Sequence, residues 1–404
     1  MSDELERDRL LEVMGRFFDG DLDKKLYEPD PVAFRFISML ERYAAPGGMR
    51  SGETPFRWHG LPVVSTLVPP IGSDLEKRFL VNKFLSRFRP DPLAQFTIII
   101  APSYRCRCHC EQCYVAEYAD PGRTELAVDQ WRHVFEKVID AGVWHIDISG
   151  GEPFENPKFF DTIGQVPMDK ATTIVATNGY CLDERTIDRV KQSNIMAFKV
   201  SLESSGKMQQ NTGDDQAFDR TVGAIKRLLD NKLYTFVQAF VERGCWRDNE
   251  LEERILLCRD IGITRVHVIS PLALGRMRKR EDSFLAEKDR EYIYRLREEY
   301  AHHREGAIGL SVFPDDGVAR KGCPASRGRI YVNPYGDVYP CNFWPAKCYG
   351  NLVTDDFRSI IQEMRKDIPD RPKQCRASNI DADAIQRLNE RIAADPLDIA
   401  HILD

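Results

Sequence analysis

From about residue 96 to 270 the chain alternates short β-rich apolar runs with stretches apolar at every third or fourth position. The short runs are FTIIIAP, HIDISG, TTIVAT, AFKVSL, TFVQAFV and RVHVIS. The helical stretches between them include AVDQWRHVFEKVIDAG, TIDRVKQSN, TVGAIKRLLDN and ELEERILLCRDIG. Six β/α repeats of this kind predict parallel strands with covering helices, either closing partway into a barrel or lying open as a doubly wound sheet. In both arrangements functional groups gather at the C-terminal ends of the strands.

The flanks follow other patterns. Residues 1–95 read as helical and irregular: SDELERDRLLEVMGRFF and DPVAFRFISMLERYA each open on a capping residue and keep helical spacing. PGGMRSGETPF reads as a loop. LPVVSTLVPPIG is an apolar stretch with a Pro-Pro break, and a basic amphipathic helix follows it. After a charged helix near 283–303, the hairpin signal RIYVNPYGDVYPC and four cysteines mark a further region. The tail DADAIQRLNERIAADPLDIAHILD is amphipathic and helical.

A 42% hydrophobic content supports a sizeable core, and a net charge of −6 gives no global attraction to nucleic acid. No run reaches membrane-span length and the N-terminus lacks a signal-peptide pattern, so a cytoplasmic location is expected. In that compartment the eleven cysteines point to metal, redox chemistry or small buried hydrophobes rather than to a disulfide framework.

Four of the cysteines fall within eight positions of APSYRCRCHCEQCYV, directly after the first strand. Cys106, Cys110 and Cys113 form C-x3-C-x2-C, and Cys108 is an extra thiol between them. Three thiolates on one polar loop can hold three irons of a [4Fe–4S] cluster and leave the fourth iron open. A zinc site, which wants four closed ligands at other spacings, is the alternative. Past the second strand, HIDISGGEP supplies Gly150, Gly151, Glu152 and Pro153. Glycines let backbone approach a ligand, and a carboxylate there can accept from an ammonium group.

C-x3-C-x2-C after the first strand of a β/α repeat, in register with the Gly-Gly-Glu-Pro turn, resembles the radical S-adenosylmethionine (radical SAM) superfamily. The resemblance covers roughly residues 96 to 376 and implies a partial (β/α)6 TIM-like barrel over 96–305 and a small cysteine-rich α+β domain over 306–404, which ends in the helical tail. Residues 1–95, read from their periodicity as a helical N-terminal extension, match no family pattern. The resemblance implies that SAM binds the open iron through its methionine moiety and is cleaved reductively to a 5′-deoxyadenosyl radical, which abstracts hydrogen from a substrate. The glycine-rich turn would hold the SAM amino group, while Asn178, Ser201 and Glu203 at later strand ends match positions that contact ribose and carboxylate. The residue before the third cysteine is usually aromatic in the family. Here it is Gln112, and Tyr114 on the other side of Cys113 is carried as the SAM-contacting aromatic. Cys245, ending the fifth strand, is a candidate hydrogen donor, against the plainer reading of a strand-end cysteine.

Cys323 through Gly336 to Cys341 reads C-x12-G-x4-C and resembles the opening half of a SPASM domain. The C-x2-C-x5-C-x3-C run that completes that domain is missing. Cys348 and Cys375 alone follow, which limits the site to one auxiliary [4Fe–4S] cluster, as in the shorter twitch variant. A zinc knuckle is the alternative. The implied function is radical modification of a peptide or protein side chain. A small metabolite of cofactor, nucleotide, sugar or lipid biosynthesis comes second, and a non-catalytic Fe–S or zinc scaffold third. An electron donor such as flavodoxin or ferredoxin is the implied partner. The apolar stretch before the basic helix leaves room for peripheral membrane contact.

Overall fold

The structure, a computed structural model, describes residues 3–44, 54–66, 68–85, 97–116, 118–301, 306–316, 318, 322–345, 347–373 and 375–377. The amphipathic tail at 381–404 and the glycine-containing stretch at 46–53 lie outside the described residues. Helices α1 (Asp3–Phe18) and α2 (Pro31–Ala44) form where their periodicity predicts, and α3 (Asp74–Leu85) packs with them. Leu10, Met14, Phe36, Leu40, Leu80 and Phe84 share one buried cluster. Buried Glu76 of α3 accepts a hydrogen bond of 2.6 Å from the Tyr43 hydroxyl.

Strands β1 (Arg57–Trp58) and β2 (Leu61–Pro62) make a small antiparallel hairpin. Around it Phe56, Trp58 and Val63 pack onto Ile174, Met196 and Phe236. The stretch that suggested membrane contact therefore spends Val63 and Val68 on the protein's own core. Among the described residues no helix is long and apolar enough to cross a membrane.

The main sheet contains β3 (Thr97–Ile100), β4 (His145–Ile148), β5 (Thr172–Thr177), β6 (Ile195–Ser201), β7 (Tyr234–Phe240) and β8 (Arg265–Ile269), parallel and in sequence order. These are the six expected strands. The sheet continues on both sides. β9 (Gly309–Phe313) pairs parallel with β8, and β10 (Arg329–Val332) pairs parallel with β3, carrying antiparallel β11 (Val338–Tyr339) at its outer edge. Residues read from sequence as part of a separate C-terminal region thus supply strands to the barrel sheet, and they cover backbone edges that β3 and β8 would otherwise expose. The Arg329 guanidinium lies 4.7 Å from the centre of the Phe313 ring, so the two ends of the sheet meet through side chains.

Helices α4 (Val128–Asp140), α5 (Phe159–Ile163), α6 (Glu184–Lys191), α7 (Ser205–Thr212), α8 (Ala217–Asp230) and α9 (Glu250–Asp260) alternate with the strands. Helices α10 (Glu287–Ala301) and α11 (Phe357–Asp367) follow. Strand alternation sorts the two faces. Ile146 and Ile148 of β4 join the large cluster that contains Trp131 and Phe135 of α4, while His145 and Asp147 point the other way. There Asp147 forms an ion pair with Lys199 of β6.

Candidate functional site: a cysteine loop held between two glycine turns

The loop after β3 is shaped by what it presses against. At Gly150 (φ +110°) an added Cβ would stand 2.7 Å from the Ser103 carbonyl oxygen, and at Gly151 it would stand 2.1 Å from that of Arg105. Neither contact is tolerable for a side chain, so glycine is required for this approach. The amides of Gly151 and Glu152 donate to the carbonyls of Ser103 and Arg105 at 3.0 and 2.8 Å, zipping the two turns together.

A second glycine turn, absent from the sequence expectations, holds the opposite side. A Cβ on Gly275 (φ +51°) would meet the Cys113 carbonyl oxygen at 2.1 Å. Arg276 next to it donates to the Cys110 carbonyl at 2.8 Å. Arg107 pairs with Glu155 at 2.7 Å, and the His109 amide donates to the Asn211 carbonyl at 2.7 Å. The signal for the second turn was the glycine in LALGRMRKR just beyond β8, which spacing alone did not link to the cysteines.

Within this frame the thiols lie side by side. The Cys108 amide donates to the Cys106 sulfur at 3.4 Å. The neighbouring Cys108 thiol and then burial hold the Cys106 thiol well above its usual range. The Cys106 thiol acts to lower Cys108, but the Cys110 thiol and burial outweigh this and push it up to about 12. Burial also raises Cys113. Free thiols at 106, 108, 110 and 113 on one loop make a sulfur donor set that suits a soft metal centre. Among the described residues no three His, Cys, Asp or Glu side chains converge as a single bound metal ion requires. An iron–sulfur cube differs in taking one thiolate per iron.

Glu152 caps the short 3-10 helix that begins at Pro153. Its carboxylate accepts from Thr177 Oγ1 and the Asn178 amide at 2.7 Å each, and from the Phe154 amide at 3.3 Å. Burial nevertheless pushes its pKa up to about 7. With about four lone-pair sites on a carboxylate, three are taken by the chain. Asn178 reaches the cysteine loop directly, its Nδ2 lying 3.3 Å from the Cys108 sulfur.

Glu203 is engaged otherwise. It pairs with buried Arg254 of α9 at 2.8 Å and also accepts from Gln112 Nε2 at 3.4 Å. Gln112, where an aromatic was expected, thereby ties the loop to the end of β6. Arg254 had no signal in its helical sequence. Ser201 ends β6, half-buried. Cys245 is not at the barrel mouth: it belongs to the large core cluster outside the strands, its thiol 3.7 Å from Asp289 of α10, and burial pushes it up to about 12. This placement gives no support to a hydrogen-donor role.

The second cysteine region touches the first. Tyr114 donates to or accepts from Ser149 at 2.9 Å, and its ring centre lies 5.0 Å from that of Phe343. The Phe343 amide donates to the Cys341 sulfur at 3.4 Å. Cys323 and Cys341 are buried in one small cluster with Phe343 and Trp344 beside them. The Cys323 amide donates to the Pro372 carbonyl at 2.8 Å, and Arg376 lies over Trp344 at 5.1 Å, which brings the chain on both sides of Cys375 to the same place. Cys348 is exposed, with its thiol 3.4 Å from the Gly350 carbonyl.

Residues 100–244 match the radical SAM superfamily, and residues 323–377 match the SPASM iron–sulfur cluster-binding domain. The chain carries a radical SAM domain followed by a SPASM domain. A radical SAM domain implies SAM and a [4Fe–4S] cluster, and SPASM implies auxiliary iron–sulfur binding. This chain is 25% identical over 266 residues to the antilisterial bacteriocin subtilosin biosynthesis protein AlbA of Bacillus subtilis, covering 64% of this chain and 58% of AlbA. It is 24% identical over 278 residues to the AdoMet-dependent heme synthase of Methanosarcina barkeri, covering 63% of this chain and 78% of the synthase. The fold is shared with Streptococcus suis SuiB bound to its precursor peptide SuiA, at a TM-score of 0.58 and 17% identity over 71% of this chain and 69% of SuiB.

Proposed function

We propose that this radical SAM enzyme matures a peptide, with Cys106, Cys110 and Cys113 holding the SAM-binding cluster. The observation that carries the reading is the cysteine loop clamped between the Gly150–Gly151 and Gly275 turns at the C-terminal end of the barrel sheet. When bound, the cluster supplies the electron that cleaves SAM. The chain's own residues do the rest. Gly150 and Gly151 keep side chains away from the approach, and Glu152 retains one acceptor site for an ammonium group while its other bonds lock the ends of β5 and the glycine turn together. Asn178 and Ser201 stand at neighbouring strand ends, and Tyr114 closes the loop's inner side. Cys323, Cys341 and Cys375, with Cys348 as the exposed fourth candidate, would hold one auxiliary cluster.

Support for a peptide substrate comes from AlbA and from the SuiB fold, both belonging to peptide-modifying systems. The test is co-expression with short peptides encoded beside this gene, followed by mass spectrometry. A mass change in one peptide that disappears with Cys113→Ala supports maturation. Unchanged peptides, together with SAM cleavage stimulated by a tetrapyrrole, would favour a second reading, a metabolite substrate, for which the longer alignment with the heme synthase speaks.

A further inference from the structure

Cys108 has no place in the three-thiol scheme, yet its side chain is turned into the site. Its amide donates to the Cys106 sulfur at 3.4 Å, which folds this stretch of the loop onto itself. From the far side Asn178, at the end of β5, donates to the Cys108 sulfur at 3.3 Å. The Asn178 amide is in turn bonded to Glu152. The fourth sulfur therefore stands on the side of the loop that faces Asn178 and Glu152, where the SAM methionine group is proposed to bind. A spectator thiol on so exposed a loop would be free to turn to solvent. This one is fixed inward by a side chain from another strand.

We infer that Cys108 is a displaceable fourth ligand: it caps the open iron while SAM is absent and yields that position when SAM binds. This rests on the reading of Cys106, Cys110 and Cys113 as the permanent ligands. On capping, the Cys108 S–H bond breaks, its proton leaves to solvent, and sulfur bonds iron. On SAM arrival the Fe–S bond breaks, the methionine ammonium gives up a proton, its amine and carboxylate take the position, and the released sulfur takes up one proton. No electron is exchanged. Asn178 Nδ2 is placed to hold the released sulfur aside. Capping leaves only a fraction of the protein competent to bind SAM, so it weakens apparent affinity in proportion.

The test uses full-length, anaerobically reconstituted protein and its Cys108→Ser and Cys108→Ala variants, with SAM as the probe. Iron content should be the same in all three. Without SAM, the electron paramagnetic resonance spectrum of the reduced loop cluster should differ between wild type and both variants, and with saturating SAM the spectra should coincide. SAM should bind the variants roughly three- to tenfold tighter, the reciprocal of a competent fraction of that order. Identical SAM-free spectra with unchanged SAM affinity overturn the inference. Loss of the loop cluster in both variants also overturns it, because Cys108 would then be an obligatory ligand. Failure of the underlying reading looks different: the protein would keep all its iron when Cys106, Cys110 and Cys113 are replaced together.

Discussion

At 106–113 the thiols are partly open to solvent and are positioned by backbone contacts from two glycine turns and by Arg107, Gln112 and Arg276. At 323–375 two of the four thiols are buried beside Phe343 and Trp344, and one is exposed. A site that must admit and release a small molecule cannot be filled by side-chain packing, and the first loop is held from its flanks instead, by glycines that let backbone press on backbone. The second is closed by aromatic packing, which suits a centre that stays shielded from water. Tyr114, hydrogen-bonded to Ser149 and with its ring tilted against that of Phe343, is the joint between them.

The largest effect expected from breaking this contrast is at Gly275. In Gly275→Val the new side chain must displace the Cys113 carbonyl, so the loop should lose its cluster while the second site keeps its own. Iron should fall from about eight to about four per chain, two clusters to one. Retention of about eight irons would show that the second glycine turn does not shape the loop.

Next come the C-terminal thiols. Cys341→Ala should remove the auxiliary iron, again to about four per chain, and lower thermal stability, because it opens a buried site between Ala325 and Phe343. Cys348→Ala, at an exposed position, should lose less iron and little stability. Equal losses from the two variants would make Cys348 a full ligand despite its exposure.

A smaller effect is expected from the barrel interior. Burial lowers His145 from its usual 6.5 to about 4 in the folded chain. The neutral ring is thus favoured by folding, and its contribution is complete above pH 6.5. It is lost as pH falls through about 4, because the unfolded state takes up the proton first. His145→Gln should flatten the fall in melting temperature between those pH values. An unchanged acid profile would mean that His145 is not kept neutral by the fold.

The smallest change is expected at Cys245. Cys245→Ala should cost about 1 kcal/mol through lost packing and the contact with Asp289, with product formation and SAM cleavage as in wild type. Loss of product with intact SAM cleavage would restore the hydrogen-donor role.

The parallel core was legible because its strands are uniform apolar runs separated by amphipathic helices. β9 and β10 were not, since GLSVF and RIYV lie outside the repeat and join it only through long-range pairing. At the site, Cys106, Cys110, Cys113 and the Gly-Gly-Glu-Pro turn are contiguous motifs and could be read directly. Gly275, Arg254 and Phe343 act from distant positions through backbone approach, ion pairing and a ring contact, none of which leaves a spacing pattern. Glu203 was expected to contact ligand on the strength of the family resemblance, and only the tertiary partner Arg254 reveals how fully it is engaged.

The most direct test of a SAM-cleaving loop is release of 5′-deoxyadenosine and methionine by reduced protein given SAM, in wild type and in the combined Cys106→Ala, Cys110→Ala, Cys113→Ala variant. Wild type should release both, and the variant should release neither while keeping its fold and about four irons at the second site. Equal release by the two proteins, or none from fully loaded wild type, would contradict the assignment of that loop.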